Sequence, residues 1–285
     1  MNASIYLYTH KASTASVVAE LSDILKDYLA SAQPQQLPAP SRTQDTTLWD
    51  LSSSPLSSRE RHSLLSALLR YVRRQPVALY YRSTEAQPIR RIVADLDGCL
   101  VSEELLVRIA REQSMHTDTI AAMTGAVDFE SSFRKRVQCV RGMTASQLED
   151  LGAVVSLAPG IEHFCRFTEG EDIRLDLASS NLTPYVHTLM LRLGATDYIA
   201  TMPEMDEEEV LDGTLSEPIV DAQSKRDFAL QTIGRDIRPE STLSIGDGAN
   251  DLEMLSATAH ALLYCSAIDG SLDIGEVMTD LYFRP

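Results

Sequence analysis

The chain has 285 residues, 44% of them hydrophobic, which is enough for two domains with packed cores. Its formal net charge of -16 is unevenly placed: residues 1–90 carry 10 Lys+Arg and 7 Asp+Glu, whereas residues 91–285 carry 15 and 34. Such an acidic body argues against a nucleic-acid partner. With no apolar run of membrane-spanning length, it also argues against a membrane one. Cys99, Cys139, Cys165 and Cys265 lack metal-ligand spacing and read as free thiols of a reducing compartment. No basic, apolar leader opens the sequence, so a cytoplasmic location is expected.

In chain order, Ser4–Thr9 reads as a strand, and Thr14–Ala30 as an amphipathic helix with Val17, Val18, Leu21, Leu25 and Leu29 on one face. Gln33–Thr46 holds three prolines and reads as a long loop. Leu48–Leu51 is a second strand. Ser57 and Glu60 have capping-box spacing ahead of Leu64, Leu65, Leu68, Leu69 and Val72, a second helix. Val77–Tyr81 is a third strand. Residues 1–85 therefore read as a small α+β domain, and Ser83–Pro88 as a linker that leaves residues 86–285 able to act alone.

The next stretch, Arg91-Ile-Val-Ala-Asp-Leu-Asp-Gly-Cys-Leu100, is the chemical centre of the sequence. Ile92, Val93 and Ala94 read as a buried strand that delivers Asp95 and Asp97 to the carboxyl edge of a sheet, where open α/β folds bind ligands. One carboxylate can attack phosphorus, and the second can address the same phosphoryl group if Gly98 lets the chain bend. Taken alone, D-x-D-G also describes a surface loop with two solvated aspartates. A helix over Glu103–Gln113 and a helical insertion over 116–155 follow.

Further on, the pattern predicts a helix from Pro159 to Gly170 and a strand over Asp172–Ala178 ending in Ser179 and Ser180. A helix over Pro184–Leu193 and a strand over Tyr198–Thr201 come next, then an acidic surface hairpin over Met205–Gly213. Asp221–Gly234 is a helix that carries Lys225. Leu243–Gly246 is a strand leading to Asp247, Asn250 and Asp251, whose carboxylates are hard oxygen ligands suited to magnesium. A helix to Ala257 and a strand over Ala261–Cys265 complete the pattern. Strands alternating with helices imply a Rossmann-like, mostly parallel sheet covered on both faces, with the helical insertion at about 105–155 as a cap over residues 90–285.

Aspartate pair, serine, lysine, aspartate pair, in that order, resembles the haloacid dehalogenase superfamily. Thr124–Val137, Asp172–Thr201, Ile219–Leu230 and Thr242–Leu255 resemble the phosphoserine phosphatases more closely, over roughly residues 90–265. That resemblance implies a cytoplasmic hydrolase of serine biosynthesis acting on a small phosphorylated metabolite, and it leaves a homodimer open. It implies that Asp95 is the nucleophile and Asp97 the general acid/base. Magnesium would be held by Asp95, Asp247 and the carbonyl of Asp97, with Asp251 in support. Ser179 and Lys225 would bind the phosphoryl group. Glu104 and Arg136 would take the amine and carboxylate of serine under Phe129, and Ser180 and Asn250 would complete the pocket. Three departures from the family stand out: Gly98-Cys99 after the aspartates, Ser180-Asn181 in place of two glycines, and Cys265-Ser-Ala-Ile in place of Ala-Lys-Pro. They leave another small phosphomonoester, such as a sugar phosphate, as the competing substrate class, and a phosphotransferase or a non-catalytic regulatory relative as competing roles. Cys99, next to the catalytic loop, would block activity on alkylation if the loop exposes it.

Overall fold

The computed structural model describes residues 3–28, 33–38, 44–51, 56–112 and 129–284. One nine-stranded sheet runs through it. The strands are β1 (Ser4–His10), β2 (Pro34–Leu37), β3 (Gln44–Asp50), β4 (Val77–Arg82), β5 (Arg91–Ala94), β6 (Arg174–Leu182), β7 (Asp197–Thr201), β10 (Thr242–Gly246) and β11 (His260–Tyr264), in the order β2-β3-β1-β4-β11-β10-β5-β6-β7. From β11 to β7 all pairings are parallel; from β2 to β11 all are antiparallel. The parallel half is the α/β body expected from the alternating pattern. β8 (Pro203–Met205) and β9 (Leu211–Leu215) form the acidic hairpin.

Helices α1 (Thr14–Lys26) and α2 (Ser58–Val72) cover one face of the amino-terminal strands. Successive strand residues point to opposite faces. Ile5, Leu7, Val77, Leu79 and Tyr81 therefore pack with the leucines of α1 and α2, and Tyr6, Tyr8, Ala78 and Tyr80 join the core of the catalytic body. Ser57 caps α2 as its spacing predicts: its hydroxyl accepts from Glu60 N, and the Glu60 carboxylate accepts from Ser57 N at 2.8 Å.

Two expectations for this region change. Gln33–Thr46 is not one loop: Pro34–Leu37 forms an exposed edge strand and β3 begins at Gln44. An edge strand needs backbone pairing on one side only, so apolar patterning does not reveal it and proline is tolerated. Ser83–Pro88 is irregular, but it does not separate two bodies. β4 pairs with β11 from Ala78 to Arg82, and Ser83 N, Gln87 N and Arg90 N donate to the carbonyls of Ala259, Glu240 and Ser241.

Around the parallel half lie α3 (Leu105–Glu112), α4 (Phe129–Val137), α5 (Ala145–Val154), α6 (Ile161–Gly170), α7 (Thr183–Leu193), α8 (Ala222–Ala229), α9 (Leu252–Ala257) and α10 (Ile274–Phe283). The Thr124–Asp128 part of the resemblance, and Gln113 at the predicted end of α3, lie outside the described residues. α8 stops at Ala229, short of the predicted Gly234, and β6 runs on through Ser179 to Leu182. The C-terminal helix α10 is a finding of the structure, although its signals stand in the sequence. Asp273 caps it by accepting from Glu276 N at 2.9 Å, and Ile274, Val277, Met278 and Leu281 recur at helical spacing as its buried face. Among the described residues, no helix is long and apolar enough to cross a membrane.

Candidate active site

Three parallel strands end at one point. β5 lies between β10 and β6, and the chain leaves it in opposite directions along the sheet, the switch point at which such sheets open a crevice. Asp95 follows β5, Ser179 rides on β6, and Asp247 follows β10. Backbone pairing of Asp95 N to Ile245 O at 3.0 Å holds the first and last of these loops together.

Lys225 is fully buried at the centre. Its ammonium donates to Asp95 Oδ1 and Asp251 Oδ1, each at 2.7 Å. Burial alone would pull this amine down, but the Asp251 and Asp95 carboxylates together hold it above the usual lysine value. Asp251 is also fully buried, and its second oxygen accepts from Asp247 N at 3.1 Å and Gly248 N at 3.0 Å. It fixes the loop that presents Asp247. Gly246 is obligatory there, because a Cβ on it would lie 2.4 Å from the Asp251 Cβ. Gly98 is equally constrained: it has φ +84°, and a Cβ would meet Asp247 Oδ2 at 2.8 Å.

Burial and the Asp251 carboxylate push Asp95 up, against the pull of the Lys225 ammonium. Burial likewise pushes Asp247 up to about 7, against the Arg73 guanidinium. Two desolvated carboxylates facing one point are a ready cation site. Asp95, Asp247 and Cys99 each place a ligand atom within 4.8 Å of the others. The oxygens fit magnesium, a hard cation. Cys99 does not: its thiol donates to the Tyr264 carbonyl at 3.3 Å, and burial beside Asp247 and Asp95 pushes it well above its normal range. The exposed, reactive Cys99 entertained from sequence is thereby corrected, since the residue is fully buried.

Asp97 points the other way. Its Oδ1 accepts from Leu105 N at 3.3 Å and its Oδ2 from Asn181 Nδ2 at 3.0 Å. Burial raises it to about 6, against the hydrogen bond from Asn181. Asn181 is itself locked, because its Oδ1 accepts from Leu182 N at 2.8 Å. Sequence reasoning saw Asn181 only as an intruder in a glycine loop. Its role as a partner of Asp97 depends on β6 running past Ser179, which local pattern does not disclose. Ser179 Oγ accepts from Asn181 N at 3.1 Å, which leaves the hydroxyl proton free to donate into the site.

Arg136 lies above this floor on α4, its Nη1 3.7 Å from Glu104 Oε2 and its guanidinium over the Phe133 ring. Phe129 stacks on Phe133 at 5.8 Å. Arg136 Nε is buried without a hydrogen-bond partner. The structure brings Asp95, Asp97, Glu104, Phe129, Arg136, Ser179, Ser180, Asp247 and Asn250 to one small cavity of about 80 Å³. Lys225 and Asp251 lie beneath it. A neighbouring cavity of about 830 Å³ shares Glu104, Phe129, Arg136 and Asn250. Arg73, from the amino-terminal strands and helices, lines both cavities and was not anticipated.

Residues 92–256 match the model of the haloacid dehalogenase-like hydrolases. The chain is 32% identical over 178 residues to a phosphoserine phosphatase of Idiomarina loihiensis, a match covering 61% of this chain and 80% of that protein. It is 27% identical over 184 residues to a phosphoserine phosphatase of Saccharomyces cerevisiae, covering 62% of this chain and 60%, less than two thirds, of that protein. Among solved structures, a HAD family hydrolase of Salmonella enterica serovar Typhi superposes with a TM-score of 0.61 at 23% identity, over 91% of this chain and 88% of that one. This last likeness concerns the fold, and it extends across the amino-terminal strands as well as the parallel body.

Proposed function

The chain belongs to the haloacid dehalogenase-like hydrolases, and we propose that it hydrolyses phosphoserine to serine and phosphate through an aspartyl phosphate on Asp95. Asp95 is the carboxylate that faces both Lys225 and the open cavity, so one of its oxygens is held while the other attacks phosphorus. Asp97, raised by burial to about 6 and so close to neutral pH, is suited to pass a proton to the leaving serine oxygen and then to take one from the water that attacks the aspartyl phosphate. Ser179 donates its free hydroxyl proton to the phosphoryl oxygens, and Lys225 offsets their charge. Magnesium, held by Asp95, Asp247 and the carbonyl of Asp97 with Asp251 in support, would supply charge neutralisation at the same phosphoryl group. The four free cysteines fit a reducing compartment, the cytoplasm.

The observation that carries the substrate is the Arg136–Glu104 pair. A serine moiety brings one ammonium and one carboxylate. Directly above the aspartates stand one carboxylate and one guanidinium, too far apart at 3.7 Å for a strong hydrogen bond, with a guanidinium nitrogen still unpartnered. A sugar phosphate would close these two charges against each other without gain. Phosphoserine should exceed a hexose phosphate by roughly a hundredfold in kcat/KM, as for sites built around specific polar groups. Arg136→Ala should erase most of that ratio and spare hydrolysis of small aryl phosphates. Equal kcat/KM for phosphoserine and hexose phosphate in the unmodified enzyme would overturn the substrate assignment.

A further inference from the structure

Arg73 stands at the C-terminal end of α2, where the negative end of the helix dipole favours a cation. Its position is set by the packing of α2. α2 buries Leu64, Leu65, Leu68, Leu69 and Val72, and shares a core with Leu255 of α9. Arg61, earlier on the helix, donates through Nη2 to the carbonyls of Leu255 and Thr258. The first turn of α2 is thus tied to the segment that follows the Asp247–Asp251 loop, and the buried face of the helix carries that placement along to Arg73. From there the Arg73 guanidinium reaches into the site, its Nη1 3.9 Å from Asp247 Oδ2, beyond hydrogen-bond length.

The other two cations of the site lie closer to carboxylates than Arg73 does. Lys225 is held by Asp95 and Asp251, and Arg136 faces Glu104. The Arg73 guanidinium makes no hydrogen bond to another described side chain, and its side chain is 35% exposed, into the two cavities. A cation with free forked donors beside Asp95, Ser179 and Asp247 matches the geometry of an oxyanion.

We propose that Arg73, contributed by the amino-terminal strands and helices, is a substrate-binding residue that grips an oxyanion of the bound phosphomonoester. The inference rests on the phosphomonoesterase reading for the kind of ligand. Its corollary is that residues 1–90 complete the site instead of regulating it from outside. Two groups could supply the oxyanion, the phosphoryl group and the substrate carboxylate, and the two arms of the test separate them.

The test uses the full chain at saturating magnesium, with binding of inorganic phosphate and of serine measured by calorimetry in the unmodified protein and in Arg73→Ala. A charge-assisted hydrogen bond predicts about a ten- to hundredfold loss of affinity in one arm. Loss for phosphate assigns the phosphoryl contact, and loss for serine assigns the carboxylate contact. Arg73→Met keeps the aliphatic stem and carries the same expectation if the alanine variant does not fold. Affinities within twofold of the unmodified protein in both arms would overturn the proposal and leave Arg73 as a screen for Asp247. An unmodified enzyme that binds phosphate but does not hydrolyse phosphoserine would instead defeat the substrate assignment, with the phosphate arm still deciding the role of Arg73.

Discussion

Asn181 Nδ2 donates to Asp97 Oδ2 at 3.0 Å while Asn181 Oδ1 accepts from Leu182 N at 2.8 Å, so the amide can face Asp97 in one orientation only. With Leu105 N on the other oxygen, the candidate general acid is clamped at both ends. Asn181→Ala should cost about tenfold or more in kcat, the worth of a hydrogen bond to a charged group, and leave inorganic phosphate affinity unchanged. Asp97→Asn should go further and accumulate phosphoenzyme, whereas Asp95→Asn should form none. Rapid-quench measurement of phosphoprotein and product checks all three, and an Asn181→Ala enzyme with normal kcat would remove the clamp from the account.

Cys99 should be silent to thiol reagents. It is fully buried against the Tyr264 carbonyl, and both burial and the neighbouring carboxylates disfavour its thiolate. Alkylation of the folded protein at neutral pH should leave activity intact and yield no Cys99 adduct by mass spectrometry, with labelling appearing only on denaturation. A Cys99 adduct in active, folded protein would show that the loop opens.

The fragment 86–285 should fail to give soluble, active protein. Removing β4 strips β11 of every antiparallel partner, and removing α2 uncovers Leu255, Ala261 and Leu263. Unpaired inner edges and bared leucines, each worth about 1.5–3 kcal/mol of burial, lead to aggregation. Soluble fragment with full magnesium-dependent phosphatase activity would restore the independent body expected from composition, and it would also count against Arg73.

Acid should weaken the seam between β4 and β11. His260 is buried there. Its Nε2 meets the Gln87 carbonyl at 2.7 Å and its Nδ1 meets the Tyr80 hydroxyl at 2.6 Å, so the neutral ring donates at one nitrogen and accepts at the other. Burial lowers its pKa from 6.5 to about 4. Between those values the unfolded chain binds the extra proton. The contribution of this residue is therefore complete above pH 6.5 and is lost as pH falls toward 4, up to about 3 kcal/mol in all. His260→Gln should flatten the fall in Tm between pH 7 and 5; parallel Tm profiles for the two proteins would refute the assignment.

Local chemistry determined the parts of this protein that can be read along the chain. Mostly apolar runs ahead of Asp95, Ser179 and Asp247 mark the strands of a parallel sheet, because such a strand is buried on both faces, and the charge within them, Asp176 on β6, is paired with Arg91 of β5 at 2.6 Å. The Ser57–Glu60 capping box marks the start of α2 because the cap is made within four residues. What depended on distant pairing was decided only by the tertiary structure. The hydrogen bonds joining β4 to β11 carry no side-chain signature, so a linker composition at Ser83–Pro88 masked a continuous sheet. Arg73 and Asp247 are 174 positions apart, and Asn181 and Asp97 are 84 apart. Nothing in the neighbourhood of either residue says which charge it will meet, because that meeting is set by the docking of α2 against α9 and by the length of β6, both of which exist only once the core has formed.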